Sequence, residues 1–347
     1  MTEALGFDEV QSSVALDMYR DLADAKQAAA DSLRHDIQRL QQEADGQDMM
    51  SMMTKIKEAT GNHQERVRVL ELTFMSDLRA LMTPEQEENW PKAERLHRRG
   101  KYLRTLLRAP ARVDLEELVR TEFAQTAGNA DVIDMLDRWS VQVDGHLVER
   151  ERKASAIGIN PDFRGGIFFG GGEDPYKELR EIDGRIAQLG EQTIRMMSGI
   201  FGDDALHSAW LRLAYPRVYR PLDAERRLEA ALGLEDLSPS QREQLEAMAA
   251  QHARDASAAR ARWVEAEKER EANDPLPPGV MVLVDGQEHA GSAPARLAVR
   301  DLGVRLEQRL SQILTAEQME LLPKAEPESD AVQFTPAGSS RTIRIGG

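Results

Sequence analysis

Four methionines close together in the chain are the side chains best suited to bind a metal ion. They stand as Met49-Met50-Ser51-Met52-Met53. Thioether sulfurs are soft ligands that suit Cu(I), so such a cluster can bind copper. Methionine is also flexible and apolar, and it can form an adaptable surface for protein clients or fill a helix interface. We favour packing as the first expectation and keep a client surface and a copper site as alternatives.

The histidines do not add a metal site. None of them shows the H-x-x-E-H or H-E-x-x-H spacing that places two imidazoles on one metal ion; they are His35, His63, His97, His146, His207, His252 and His289. Cysteine is absent, so neither thiolate chemistry nor disulfides can operate. The sequence shows no set of nucleophile, base and orienting group. It therefore predicts no enzyme and no cofactor.

A basic segment at residues 95–112 stands out because the chain is acidic overall, with a formal charge of −15. Its cations are Arg95, Arg98, Arg99, Lys101, Arg104, Arg108 and Arg112, and leucines lie between them. A basic amphipathic helix can lie on an anionic membrane or dock a partner. The favoured interpretation is internal pairing with acidic side chains such as Glu116, Glu117 and Glu122, or with the acids at 149–151.

A glycine-rich segment at residues 157–175 predicts a linker and a domain boundary. It is not a phosphate-binding loop, because no strand precedes it and no Gly-Lys-Ser/Thr follows it. It contains Ile167-Phe168-Phe169. These residues form either an apolar tip that meets a partner or a plug that folds back on the core, and the sequence does not choose between the two.

One phrase occurs near each end of the chain. Thr83-Pro84-Glu85-Gln86 and Thr315-Ala316-Glu317-Gln318 are each followed by Pro-Lys-Ala-Glu, and Ser238-Pro239-Ser240-Gln241 repeats the polar pattern. A Thr or Ser with Gln three residues later is a capping box, so all three predict helix starts. Ala4-Leu5-Gly6-Phe7 and Ala231-Leu232-Gly233-Leu234 precede the two copies. This self-similarity predicts a duplicated helical unit.

The three phrases resemble the LTxxQ motif of the Spy-like periplasmic stress proteins and heavy-metal sensors. The resemblance covers the two repeat arms, at about 1–96 and 231–326, and not the stretch between them. Leu237 and Leu314 precede the phrases at Ser238 and Thr315, whereas Met82 precedes the phrase at Thr83, and Ser238 replaces the threonine. The resemblance implies small helical dimers that act as ATP-independent chaperones or metal-stress sensors. It also implies a periplasmic location if a signal peptide was removed, whereas the sequence as written predicts a cytoplasmic protein.

Apolar residues recur every three or four positions along most of the chain, which predicts long amphipathic helices. We expect an all-α fold with long antiparallel hairpins, in which two duplicated arms surround a central helical segment. Gly61-Asn62 predicts a kink or a break in the second helix, and Val280–Val284 is the only credible strand. The predicted domains are 1–156, the linker 157–175, a second part at 176–326 that includes the repeat 231–326, and a flexible tail at 327–347.

The function that follows is a non-enzymatic, chaperone-like or stress-response protein that binds unfolded or apolar clients. The alternative is an assembly protein whose long helices make fixed contacts with identical or different subunits, so the expected partners are protein clients or identical subunits in a homo-oligomer. Nucleic acid is disfavoured as a partner, since the acidic chain would repel a polyanion. Contact with a membrane surface is the less favoured interpretation of the basic segment.

Overall fold

The computed structural model describes residues 5–43, 49–156, 176–202, 204–273 and 292–324, which form α-helices and short 3-10 helices without any strand in those ranges. The all-α prediction is therefore confirmed. The α-helices are α1 (Glu9–Glu43), α2 (Met49–Ala80), α3 (Trp90–Tyr102), α4 (Leu115–Glu122), α5 (Ala130–Ala156), α6 (Lys177–Phe201), α7 (Ala205–Ala214), α8 (Pro216–Tyr219), α9 (Asp223–Leu232), α10 (Pro239–Asn273), α11 (Ala293–Ile313) and α12 (Ala316–Glu320). The predicted strand and the predicted tail lie outside the described residues.

The first two helices form a long hairpin. They pack along a seam of apolar residues, and the buried end of this hairpin contains Leu22, Phe74 and Leu78 together with Trp90 from the start of α3. The predicted break at Gly61 is wrong, because α2 runs unbroken through that position. A glycine in a helix interior costs only about 1 kcal/mol relative to alanine, which the seam with α1 outweighs.

The largest core lies in the stretch between the two repeat arms. Helices α5 and α6 pack side by side, and α7 joins them. Trp139 of α5 and Trp210 of α7 are almost fully buried there with Ile186 and Met197 of α6. These large side chains explain why this part of the chain folds tightly although it lacks the repeated phrase.

The second long hairpin has its own core. Leu245 and Met248 of α10 pack with Leu306 and Leu310 of α11, and Leu228 of α9 joins them. Helix α9 packs on α11, so three helices contribute to this core.

The chain divides into two compact units at Ala214–Tyr215, and the end of α10 from Glu271 groups with the first unit. This boundary differs from the predicted one in segment 157–175. Helices α5 and α6 lie on either side of that segment and share one core, so the glycine-rich segment falls within a unit. The structure of residues 157–175 is outside the described part.

Candidate functional site

The start of α1 is joined to the end of α2 by two glutamine amides, which we name the first amide pair. Gln11 Nε2 donates to Gln86 Oε1 at 3.0 Å and Gln86 Nε2 donates to Gln11 Oε1 at 2.9 Å. Each amide also donates a hydrogen bond to a backbone carbonyl: Gln11 to that of Leu81 at 2.7 Å, and Gln86 to that of Gly6 at 2.7 Å. The pair therefore closes the hairpin where its backbone groups lack helical partners.

A second amide pair joins the start of α10 to the end of α11. Gln241 Nε2 donates to Gln318 Oε1 at 3.0 Å and to the Ile313 carbonyl at 2.9 Å. Gln318 Nε2 donates to the Asp236 carbonyl at 3.4 Å. Ser238 and Thr315 form capping boxes with these glutamines, as Gln241 N–H donates to Ser238 Oγ and Gln318 N–H to Thr315 Oγ1, both at 3.2 Å. The exposed Glu317 lies in the first turn of α12.

The phrase at Thr83 departs from the prediction, because no α-helix begins there. Residues 84–86, which include Pro84 and the exposed Glu85, form a turn, and Glu87–Asn89 form a 3-10 helix. Pro91 occupies the first turn of α3, where its missing N–H does no harm, and buried Trp90 fixes that start. Pro323 instead follows α12. The two Pro-Lys-Ala-Glu phrases therefore lie in different local structures.

Sequence reasoning missed the partner of the first amide pair. Asp8 caps α1: its carboxylate accepts from the Gln11 N–H at 2.8 Å, and Gln11 Oε1 accepts from the Asp8 N–H at 3.1 Å. The detectable signal was a capping residue three positions before glutamine. The hydrogen bonds of the two amide pairs make Gly6 equivalent to Asp236 and Gln11 equivalent to Gln241. This alignment of the two arms is shifted by three residues from the one that the Ala-Leu-Gly match suggested. Duplication of the arms remains a prediction that this matched bonding supports.

The methionine cluster opens α2. Met52 is half-buried, whereas the side chains of Met49, Met50 and Met53 lie outside the described part of the chain. Ile167, Phe168 and Phe169 also lie outside it. The copper and client interpretations of these residues stay predictions.

Most cations of the basic segment make contacts within the first unit. Arg98 pairs with Asp144 at 2.7 Å and Lys101 with Glu71 at 2.6 Å. Arg99 is 1% exposed and contacts the carboxylates of Asp114 and Glu116. Arg108 donates to the Arg180 carbonyl at 3.1 Å, Arg95 is half-buried and Arg104 is exposed. This arrangement matches the internal-pairing interpretation, since few charges of the segment remain available to a membrane or a partner.

Glu71 connects the hairpin to α3. Its carboxylate accepts hydrogen bonds from Lys26 Nζ of α1 at 2.5 Å and from Lys101 Nζ of α3 at 2.6 Å. Burial by itself would raise the pKa of Glu71, but hydrogen bonds and charge from the two lysines outweigh it and hold the pKa below its ordinary value. Burial, with further help from Lys101 and Lys26, lowers the pKa of His97 nearby. Glu71 and the two lysines neutralise one another, which is consistent with a structural contact between the hairpin and α3.

A fully buried ion pair fixes the loop after α3. The Arg150 guanidinium lies 2.8 Å from the Asp183 carboxylate, and Arg150 also donates to the Thr105 carbonyl at 3.2 Å. Asp183 accepts the Leu107 backbone N–H as well. Burial raises the pKa of Asp183, against the opposing effect of Arg150. The pair satisfies backbone groups of the loop inside the core, so it holds the loop in place.

The exposed apolar side chains of α5 form the clearest unexplained surface of the first unit. Ile133, Val141 and Val148 are 47%, 54% and 46% exposed. With Asp137 they follow one another at steps of four, four and seven residues on one side of the helix, and we name these four residues the α5 row. Trp139 and Leu147 of the same helix face the core.

A shallow depression on α10 is lined by Ala261, Arg262, Glu265, Ala266, Lys268 and Glu269, all from one helix, so it cannot surround a ligand. Among the described residues no group of His, Asp and Glu could hold a metal ion. No described helix is long and apolar enough to cross a membrane.

Comparisons of the chain with known protein families, with curated proteins and with solved structures found no match.

Proposed function

We propose that this chain is a non-enzymatic, chaperone-like protein that binds apolar segments of unfolded proteins. The observation that carries the proposal is the α5 row, in which three aliphatic side chains are about half exposed at regular spacing. Burying such side chains on a partner gains about 25 cal/mol per Å² of apolar surface. A solvated aliphatic row on a helix with a well-packed opposite side is suited to weak contacts with many sequences.

The charge of the chain indicates which segments bind best. Asp137 lies within the α5 row, and the chain carries a formal charge of −15. A negative surface attracts cationic segments and raises their encounter rate. The expected clients are therefore unfolded segments in which aliphatic or aromatic residues alternate with Lys and Arg.

Suppression of aggregation tests the proposal. The intact chain should suppress aggregation of two unrelated, chemically unfolded substrates at near-stoichiometric ratios without ATP. Val141→Asn/Val148→Asn should lose most of that suppression, whereas Val69→Asn/Leu72→Asn, which removes two exposed aliphatic groups of α2, should keep it. If the wild type leaves both substrates to aggregate, or if both double variants behave alike, the α5 row is not a client surface.

The rival proposal is an assembly protein with fixed subunit contacts. It draws support from the two long hairpins, whose extended helices offer repeated contact positions. It predicts a large oligomer of defined size that ignores the unfolded substrates. Light scattering on the same samples separates the two proposals.

A further inference from the structure

Helix α11 carries an exposed row of arginine and aliphatic side chains. Arg309, Arg305, Asp301 and Leu297 are spaced four residues apart, so they follow one another along one ridge of the helix surface. Both arginines are exposed, Leu297 is 49% exposed, and Val304 beside the row is 51% exposed. We name these five residues the α11 ridge. The buried residues of α11 lie on its other side and are Val299, Leu306 and Leu310.

The two arginines of the ridge lack an acidic partner within the described part of the chain. Arg305 donates to the Asp301 backbone carbonyl at 3.3 Å, and no described carboxylate contacts either Arg305 or Arg309. The other acid of this helix, Glu307, already pairs with Arg227 of α9. Two available guanidinium groups beside exposed aliphatic carbon favour an occupant that is both acidic and apolar.

The sequence that follows Lys324 has this chemistry. Residues 325–334 read Ala-Glu-Pro-Glu-Ser-Asp-Ala-Val-Gln-Phe, with three acids, no cation, and an aliphatic and an aromatic residue after the acids. Pro327 and Pro336 favour extended backbone at the residues that precede them. We name residues 328–334 the acidic segment.

The spacing of the acidic segment matches the spacing of the ridge. In an extended chain every second side chain points to the same side, and two residues advance about 6.6 Å. Four residues of an α-helix advance about 6.0 Å. The two rows therefore stay in step over four positions, which are Glu328, Asp330, Val332 and Phe334 in the segment and Arg309, Arg305, Asp301 and Leu297 in the helix.

The connection to the segment is long enough for this contact. Leu322 is 5% exposed and lies in the same core as Leu310 and Leu314 at the end of α11. From Lys324 to Glu328 an extended chain spans up to about 13 Å. A connection this short gives the segment an effective concentration on the order of 1 mM at the ridge, so a contact that would be weak between separate molecules suffices.

We propose that the acidic segment binds along the α11 ridge of its own chain, extended and antiparallel to the helix. The acids neutralise the two arginines, and the apolar residues cover the exposed aliphatic carbon of the ridge. The contacts of this register are Glu328 with Arg309, Asp330 with Arg305, Val332 with Val304 and Phe334 with Leu297.

Charge favours the antiparallel direction over the parallel one. In the parallel direction Asp330 would lie opposite Asp301, which is a like-charge pair, and Phe334 would lie opposite Arg309. In the antiparallel direction the uncharged Val332 lies at the level of Asp301, so the carboxylate of Asp301 stays at the edge of the contact in solvent.

The bound segment closes the ridge to other molecules. An acidic, apolar segment of another protein has the chemistry to bind the same arginines, and it must first displace the segment that is already tethered there. The contact is therefore an autoinhibitory one, which holds a cationic surface of the second unit in reserve.

The first experiment measures the contact with a disulfide, since the chain has no cysteine of its own. In the full chain, Asp301→Cys/Val332→Cys places two thiols at the same level of the ridge, within the roughly 7 Å that a disulfide spans. In a glutathione redox buffer this pair should show an effective concentration at least tenfold above that of Asp301→Cys/Ser340→Cys. The longer connection to Ser340 accounts for only about threefold by itself.

Charge reversal in the Asp301→Cys/Val332→Cys chain tests the role of the arginines. Arg305→Glu/Arg309→Glu should lower the effective concentration by fivefold or more. Arg254→Glu/Arg262→Glu, at exposed positions of α10, should leave it unchanged. A ratio of about three between the two cysteine pairs, or equal effects of the two charge reversals, overturns the proposal. Disulfides that form between chains instead of within one would assign the ridge to a second copy and also overturn it.

The second experiment uses the chain without cysteines. A glutamate-specific endoprotease cuts after Glu328 only while the segment is off the ridge. Cutting should be several-fold faster in Arg305→Glu/Arg309→Glu than in the wild type, and 0.5 M salt should reduce this difference because it screens the ion pairs of the wild type. Arg254→Glu/Arg262→Glu should be cut like the wild type. Equal cutting rates in all three chains at low salt overturn the proposal.

Neither experiment depends on client binding. A segment that binds the ridge in a chain that suppresses no aggregation refutes only the proposed chaperone-like function. A chain that suppresses aggregation while its segment stays off the ridge refutes only the autoinhibitory contact.

Discussion

Glu225 in the second unit is the residue whose ionisation has the clearest link to stability. Burial opposes its charge, but His252 at 2.9 Å, Arg260 at 2.7 Å and the Leu222 N–H lower its pKa to about 2, from 4.5. A carboxyl with a lowered pKa stabilises the fold above its unfolded pKa, and that contribution is lost as the pH falls through the folded one. The sensitive window is therefore about pH 4.5 down to 2.

Glu225→Gln should remove this increment, on the order of 1–2 kcal/mol at pH 6 after allowance for solvent screening. Its free energy of unfolding should fall less steeply than that of the wild type between pH 4.5 and 2. Urea unfolding across that range measures the difference, with Glu229→Gln at an exposed position of the same helix as control. Identical pH slopes in the wild type and Glu225→Gln would contradict the assignment.

Asp183 tests the buried ion pair of the first unit. Asp183→Asn leaves the Arg150 guanidinium buried without its carboxylate, which typically costs 3–5 kcal/mol. Arg150→Met/Asp183→Leu removes both charges and should recover much of that loss, since an apolar replacement of similar volume is often tolerated. Chemical denaturation of the three chains measures this. A loss below about 1 kcal/mol for Asp183→Asn would show that the pair is not a stabilising unit.

At the scale of helices, the two amide pairs should differ in strength. Gln318 is 4% exposed, whereas Gln86 is half-buried. Loss of a buried hydrogen-bonding partner costs about 1–3 kcal/mol, so Gln318→Ala should destabilise its unit more than Gln86→Ala does. A double-mutant cycle of Gln11→Ala and Gln86→Ala should give a coupling of about 0.5–1.5 kcal/mol. Gln38→Ala, at an exposed position, is the control, and zero coupling would mean that the amides act independently.

Local sequence signals predicted the helices better than their ends. The apolar periodicity predicted long helices, and α10 and α11 are long helices whose buried residues recur along one side. The helix start at Thr83 was wrong, although the local bond of the Thr-x-x-Gln phrase is present: Gln86 Oε1 accepts from the Thr83 N–H at 2.9 Å. Gln86 also donates to the Gly6 carbonyl, 80 residues away, and no local pattern contains that contact.

At the scale of the whole molecule, the glycine-rich segment was the strongest linker signal and it misplaced the unit boundary. A linker signal describes the backbone, whereas a unit is defined by which side chains share a core. Leu147 of α5 and Ile182 of α6 lie on opposite sides of segment 157–175 and belong to the same cluster. The surface proposed for clients was not predictable either, because exposure depends on which side of each helix the core leaves free.

The two units have separate cores, so we expect them to unfold as separable transitions. Leu147→Ala and Leu310→Ala form a matched pair, since the two side chains are 1% and 0% exposed and lie in different units. Each truncation should cost about 2–5 kcal/mol in its own unit. At roughly 2–4 °C per kcal/mol, differential scanning calorimetry should show one component lowered by each variant while the other stays in place.

The outcome that contradicts this expectation is a single transition that both truncations lower equally, because that pattern requires the two cores to unfold together.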